Sequence, residues 1–534
     1  MTAFILVSGM FTGAHVWEST AAQLTAAGDE VHMVALTGID ASGGRTGGHA
    51  GGREDGRTEA DVDLETHIAD VLAVIDSVRE GEGGEGGGSG REIVLVGHDY
   101  GVHPAVGAAD RRAEHLTRVV YLDSGMPQDG VPALAALPDQ SLRAQLAERA
   151  EVVGFEGELA APGRDEWQRW GSVEGLSDAA LDRLTALAAP QPLATLLQPL
   201  RLTGTAAPVP TTGVLCTSNG ASIDMVQMVV GLGDPAMQAL TDPSVSFFEL
   251  PTGHWPMLSC PAELAGVLRR AAAGEGRRLT PADACGTPPH LEPFLLDLPD
   301  IPRERTGNVD LYVPEGAEAV EGADGAGLLP AVVVVHGGPV PAGARPTPRE
   351  WPIFAGYARY AAAEGVLGVT VDHRLHDVAD YPRAAADIAA AVELVRADPR
   401  VDADRVALWF FSGSGPITAE WLASPPSWLR CLAATYPILA PMPNWGLTGS
   451  RFHPAQAVAD SGTLPVVVTR VGLEVPEIAA TVEEFLAAAK DCGANVEVVD
   501  VPEGHHGFES LDRTDASREA VHRAMRAVLA HLRA

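Results

Sequence analysis

Short apolar runs alternate with longer stretches of helical spacing along this chain, and the alternation is written twice. Phe4-Ile-Leu-Val7 ends in Ser8-Gly9, as a strand buried on both faces enters a loop. The spacing then predicts a helix over 17–27, a strand over 31–36, and a helix over 63–78 with Leu64, Ile68, Val71, Leu72 and Ile75 on one face. Further strands are expected over 93–96, 118–123, 212–217 and 245–250, and a helix over 262–273. Two glycine-rich tracts lack periodicity: 38–56 reads as a mobile insert and 81–90 as a surface loop. Strands alternating with helices imply a parallel, doubly wound sheet whose chemistry lies beyond the carboxyl ends of its strands. Residues 126–210 interrupt that alternation with proline-bounded helical segments, read either as a lid over that face or as a peripheral insert.

After a proline-rich stretch over 274–305, read as a linker, the pattern restarts. Strands are expected over 309–313, 331–335, 368–371, 406–411, 464–471 and 496–501, with a helix over 384–396. A chain of 534 residues exceeds what one core holds, so two domains of about 250 residues are expected, 1–273 and 306–534.

A formal charge of −34 argues against nucleic acid or an anionic membrane as partner, because neutralising phosphates needs clustered Lys and Arg. The five cysteines, Cys216, Cys260, Cys285, Cys431 and Cys492, have no CxxC spacing, which fits a reducing compartment without a disulfide framework or zinc site. Residues 4–7 lack a basic flank and are only a strand long, so neither signal peptide nor anchor is read there, and a cytoplasmic location is expected.

Candidate chemistry sits at two sharp strand-to-helix turns. Gly97-His98-Asp99-Tyr100-Gly101 keeps small residues on both sides of its apex, where backbone segments nearly touch, and presents Asp99 alone above the sheet. The plainer reading makes Asp99 the cap of an ordinary helix. Later, His254 follows the strand over 245–250, and Asp123 ends the strand after the elbow. The second turn follows 406–411 and places Ser412 at its apex, with Ser414 the less favoured apex because Pro416 would then occupy a tight turn position. His336-Gly337-Gly338-Pro339 follows a buried strand, and its backbone N–H groups, with that of Gly413, can hold a developing oxyanion. Glu474 and His506 then complete the order nucleophile, acid, histidine. Open alternatives are His505 as the base, Glu474 as a solvated loop acid, and a decayed site.

These motifs carry a resemblance. Residues 1–270, with Leu6-Val-Ser-Gly9, Asp63-Leu-Glu-Thr-His67, the Asp99 elbow, Tyr121-Leu-Asp123 and Gly253-His-Trp-Pro-Met257, resemble the α/β-hydrolase superfamily and its small esterase and hydroxynitrile-lyase-like branch. The apex Asp99, where an esterase carries serine, is similar to that of epoxide hydrolases and haloalkane dehalogenases. Residues 308–531 resemble the dienelactone-hydrolase and acyl-esterase branch, whose histidine precedes Gly-Phe. The resemblance implies Asp99 as nucleophile, His254 as base and Asp123 as its acid in the first half, and Ser412, His506 and Glu474 in the second. Gly9, Met10, Tyr100, Trp167 and Trp170 would surround the first site, with the two tryptophans as ring N–H donors. The resemblance to serine esterases of that branch, which carry the same acid as scaffold, implies a second reading in which Asp123 is scaffold.

The expectation is therefore two tandem α/β-hydrolase domains hydrolysing small or medium organic molecules, by epoxide opening at Asp99, ester hydrolysis at Ser412, or both. No metal or cofactor is implied, since no histidine falls in a paired-ligand spacing. The competing reading makes one half a structural module or a homodimer contact.

Overall fold

The computed structural model describes the chain except residues 1, 40–61, 81–90, 138, 205–207, 232–234, 282–286, 317–326, 443, 444, 446, 448, 449 and 534. Nearly all of both glycine-rich tracts lies outside the described residues. The chain divides into two compact units: the first takes residues 1–227 and 239–280, the second 228–238 and 281–534.

In the first unit the strands are β1 (Thr2–Val7), β2 (Glu30–Met33), β3 (Glu92–His98), β4 (Arg118–Leu122), the short β5 (Glu158–Leu159) and β6 (Gln191–Pro192), β7 (Thr211–Cys216) and β8 (Val245–Leu250). Six of them form one sheet in the order β2-β1-β3-β4-β7-β8, every pair parallel. β1 is apolar on both faces because helices cover both, and Phe4 through Val7 are fully buried. Helix Leu64–Glu80 turns Leu64, Ile68, Val71 and Ile75 into the core, close to the face its spacing predicts. β2 is shorter than expected and only half-buried, at the sheet edge. Between β4 and β7 run helical segments at Ala133–Ala136, Gln140–Val153, Arg164–Arg169, Asp178–Ala186 and Leu193–Leu197.

The second unit holds β9 (Arg303–Thr306), β10 (Val309–Tyr312), β11 (Leu329–Val335), β12 (Leu367–Val371), β13 (Val401–Phe411), β14 (Leu429–Thr435), β15 (Val466–Leu473) and β16 (Val496–His505). Their order is β16-β15-β14-β13-β11-β12-β10-β9, antiparallel only around β10. Both units are therefore α/β, each built on a mostly parallel sheet. Sequence periodicity did not signal β9, which has every side chain exposed. β16 also runs past the expected end at 501 through His505.

In both units the strand carrying an elbow lies inside the sheet. Buried neighbours fix its end and hold the apex residue over the carboxyl edge.

Candidate active sites

At the first elbow β3 stays buried through His98, and Asp99 then adopts φ 50°. A left-handed non-glycine backbone costs energy and persists because its surroundings impose it. The flanking glycines show how: a Cβ on Gly97 would lie 2.7 Å from the Val102 Cα, and one on Gly101 2.4 Å from the Ser8 carbonyl oxygen. Gly9 makes room in the same way, since its Cβ would meet the His98 ring at 2.7 Å.

The backbone N–H of Met10 donates to Asp99 Oδ2 at 3.0 Å. His254, following β8, sits between two carboxylates: Nδ1 lies 2.6 Å from Asp123 Oδ2, while Nε2 lies 3.9 Å from Asp99 Oδ1, at ion-pair but not hydrogen-bond distance. The His254 and Asp123 side chains are 6% and 3% exposed, against 32% for Asp99. Asp123 itself has φ 48° and accepts from the Cys216 N–H through Oδ1 at 3.0 Å.

Charge follows from this packing. Burial opposes protonation of His254, but the Asp123 hydrogen bond and the Asp99 carboxylate outweigh it and raise its pKa to about 10. Burial likewise opposes ionisation of Asp99, yet the facing His254, with His98 and the Met10 amide, holds its carboxyl well below the usual range. His98 is lowered to about 4, chiefly by burial and then by the charge of His254, and its Nε2–H donates to the His254 carbonyl at 2.8 Å. At neutral pH the site therefore sets an ionised Asp99 against a protonated His254, beside a neutral His98.

Two expected substrate contacts are corrected. Tyr100 is buried, with its hydroxyl bound to His67 Nδ1 at 2.8 Å, because the residue after the apex turns down into the helix packing. Trp167 is buried too, and its ring N–H donates to Thr185 Oγ1 at 2.9 Å. Neither N–H nor O–H is free for a ligand at Asp99. Trp170 stays half-buried, edge-on to Phe11 with centroids 4.7 Å apart.

Asn219 is a residue the sequence reading missed. Its Nδ2 donates to Asp123 Oδ2 at 2.7 Å and lies 3.3 Å from His254 Nδ1, while its Oδ1 accepts from the Ser172 N–H at 2.7 Å. The available signal was its place just past β7, the strand end where the other unit carries its acid. Segment 171–174 is fastened to the histidine loop, since His254 N–H donates to Ser172 O at 2.8 Å and Gly253 N–H to Glu174 O at 3.1 Å.

The second elbow is built by the same sterics with different residues. Ser412 has φ 51°; a Cβ on Gly413 would fall 1.7 Å from the Gly338 oxygen, and one on Gly415 2.2 Å from the Ile438 oxygen. The tight approach at Gly415, three residues past the apex, explains how the turn forms without the usual flanking glycines at Phe410 and Ser414. Ser414 is buried beneath the turn, its hydroxyl donating to the Phe411 carbonyl at 2.9 Å. Ser412 Oγ lies 2.7 Å from His506 Nε2, and His506 Nδ1 lies 2.8 and 3.0 Å from the two oxygens of the buried Glu474. His505 points elsewhere, exposed and paired through Nδ1 with Asp512 at 3.0 Å. Gly337 adjoins the apex, a Cβ there lying 2.9 Å from that of Ser412, whereas Gly338 packs on Leu375.

Under His506 lie groups the sequence reading did not single out. Tyr436, with φ 35° after β14, places its ring 4.7 Å from the imidazole. Glu509 is fully buried and accepts from the Tyr357 hydroxyl at 2.7 Å. Burial raises its pKa to about 7. Among the described residues no group of three or more His, Cys, Asp or Glu is placed to hold a metal ion, and no helix is long and apolar enough to cross a membrane.

Residues 4–267 match the family described as "Alpha/beta hydrolase family". That match takes in 264 of the 534 residues. A stretch of 138 residues is 34% identical to the carbendazim hydrolyzing esterase of Nocardioides sp. (strain SG-4G), covering 26% of this chain and 48% of that protein. The chain thus spans about half the length of that relative. Among solved structures, an extracellular α/β-hydrolase from a Paenibacillus species is 18% identical with a TM-score of 0.37, over 51% of this chain and 99% of the other. The methylesterase MES16 from Arabidopsis is 16% identical with a TM-score of 0.36, over 52% and 100%.

Proposed function

We propose that the chain is a hydrolase of small or medium organic molecules, with acyl-ester cleavage at Ser412. The observation that carries this is the unbroken contact from Ser412 Oγ through His506 to Glu474, at 2.7 and 2.8 Å. His506 takes the hydroxyl proton as Oγ attacks the ester carbonyl, and Glu474 fixes the imidazole so that Nε2 faces the serine. The N–H groups of Gly413 and the Gly337-Gly338 loop are the candidate oxyanion donors; one such donor is worth roughly 3 kcal/mol in the transition state. The Nocardioides relative, named as a hydrolyzing esterase, supports a hydrolase reading of the chain. Turnover of p-nitrophenyl acetate should vanish in Ser412→Ala. If that variant keeps wild-type activity while Asp99→Ala loses it, the assignment is wrong.

A second reading concerns the first unit and rests on the Met10 N–H held to Asp99 Oδ2. With one oxygen fixed in an N–H cradle, the other is presented as a ready-ionised nucleophile that can displace a leaving group from sp3 carbon and form an alkyl ester. Epoxide opening is favoured over dehalogenation, since the dehalogenase resemblance calls for Trp where Tyr100 stands. In heavy-oxygen water, one turnover should place label in the Asp99 carboxylate. Label found only in the product after a first turnover would make the first unit a structural partner or a site of another mechanism.

A further inference from the structure

We infer that His254 works twice in each turnover of the first unit, first as the acid that protonates the ring oxygen of a neutral epoxide and then as the base that activates water. This rests on the reading of Asp99 as nucleophile. What points to it is that the imidazole has a carboxylate against each nitrogen, Asp123 at 2.6 Å and Asp99 at 3.9 Å, in a pocket that leaves 6% of the ring exposed. A buried ring so flanked keeps both its protons, in accord with the raised pKa of the group. A base cannot start in that state. An acid can.

Four other donors of the site are spent. Met10 N–H is on Oδ2, the Tyr100 hydroxyl is bound to His67, the Trp167 N–H to Thr185, and the ring N–H of His98 to the His254 carbonyl. The chain has no tyrosine between Tyr121 and Tyr312, so the helical segments above the site contribute no phenol. His254 Nε2–H therefore stands beside the reactive oxygen of Asp99. An attacked carbon sits roughly 3–3.5 Å from that oxygen, which brings the epoxide oxygen to within a few ångströms of Nε2.

Protons and electrons balance over the cycle. Asp99 Oδ1 bonds to an epoxide carbon, the C–O bond breaks, its electron pair goes to the ring oxygen, and that oxygen takes the Nε2 proton. Asp99 is now a neutral ester. The charge that held His254 protonated has gone from one side, so the neutral ring takes a proton from water while the hydroxide adds to Asp99 Cγ. The tetrahedral centre collapses, the departing alkoxide takes the proton of the hydroxyl just added to Cγ, and Asp99 carboxylate, His254 imidazolium and a diol result. A halide leaving group takes no proton, so it would leave His254 in the acid form with no base for the second step. The substrate class is therefore an uncharged, strained cyclic ether; a negative ligand would meet the Asp99 carboxylate.

Two alkylating probes separate the steps in His254→Gln, with the Asp99 adduct followed by peptide mass. Styrene oxide needs a proton on its leaving oxygen, whereas benzyl bromide does not. Wild type should turn over styrene oxide with heavy-oxygen label entering Asp99. In the variant, benzyl bromide should still esterify Asp99, while alkylation by styrene oxide should fall by ~10²–10⁴-fold, the usual worth of a general acid. If the variant accumulates the styrene oxide ester as readily as the benzyl ester, His254 is a base only and the inference fails. Loss of both adducts in the variant, with both present in wild type, also overturns it, because the histidine would then be needed regardless of the leaving group. If wild type itself shows neither adduct nor label at Asp99, the nucleophile reading is what has failed.

Discussion

The side-chain amide of Asn219 donates to Asp123 Oδ2 at 2.7 Å, on the same oxygen that holds His254 Nδ1. Its position matters because the two units place their candidate acids after different strands. In the first unit the candidate acid, Asp123, follows β4, the neighbour of the elbow strand; in the second the candidate acid, Glu474, follows β15, one strand further out. The unused position holds Asn219 in the first unit and Tyr436 in the second, and each still reaches its histidine. An acid transplanted within the first unit should therefore work. Asp123→Asn should lower the pKa of His254 from about 10, read from its imidazole NMR titration, and abolish diol formation. Adding Asn219→Asp should raise that pKa again and restore at least tenfold in rate. No recovery of either would mean that Asn219 supports the segment at Ser172 and cannot replace the acid.

Glu509 gives the second unit a measurable pH dependence of stability. Its folded pKa is about 7 against an ordinary 4.5, because the buried carboxyl resists ionisation. Between those values the folded state holds a proton that the unfolded state has lost, so stability falls as pH rises from about 4.5 through about 7. At 1.36 kcal/mol per unit this is on the order of 3 kcal/mol. Urea unfolding of the second unit should show that loss between pH 5 and pH 8 in wild type and not in Glu509→Gln, whose side chain stays neutral. Equal changes in both proteins would assign the dependence to another group.

Legibility in the sequence follows which physical signals are local. Buried parallel strands such as Phe4–Val7 and Ala331–Val335 are continuous apolar runs, and a helix such as Leu64–Glu80 repeats its core face, so both α/β sheets could be read. Ser412, Glu474, His506, Asp99, His254 and Asp123 could be named because each stands at a strand end. What could not be read depends on partners far away in sequence. Tyr100 looked like a substrate contact and Trp167 like a ring N–H donor until His67 and Thr185 claimed their hydrogens. Asn219 and Glu509 matter through contacts 96 and 152 residues away, which no periodicity encodes. β9 escaped notice because an exposed edge strand has no apolar face to repeat.

Gly171 should be the most sensitive residue of segment 171–174 although it bears no chemistry. A Cβ there would lie 2.5 Å from His254 Cβ and 2.6 Å from its Cγ, closer than real side chains approach. Neither partner can retreat freely: His254 N–H is bonded to Ser172 O at 2.8 Å and its Nδ1 to Asp123 at 2.6 Å. Gly171→Ala must therefore push the ring off Asp123 or lift the segment away, an overpacking cost of about 1–3 kcal/mol. A shift near 1 Å in a reacting group is worth about 10²-fold in rate. Chemistry at Asp99 should fall by that order in Gly171→Ala, while p-nitrophenyl acetate turnover at Ser412 in the other unit stays as in wild type. Gly266→Ala, in helix Pro261–Ala272 with nothing within 4 Å of the added carbon, is the matched control and should leave both unchanged. Full retention of activity at Asp99 in Gly171→Ala would mean that His254 need not keep its present position, and its assigned part in the first unit would fall with it.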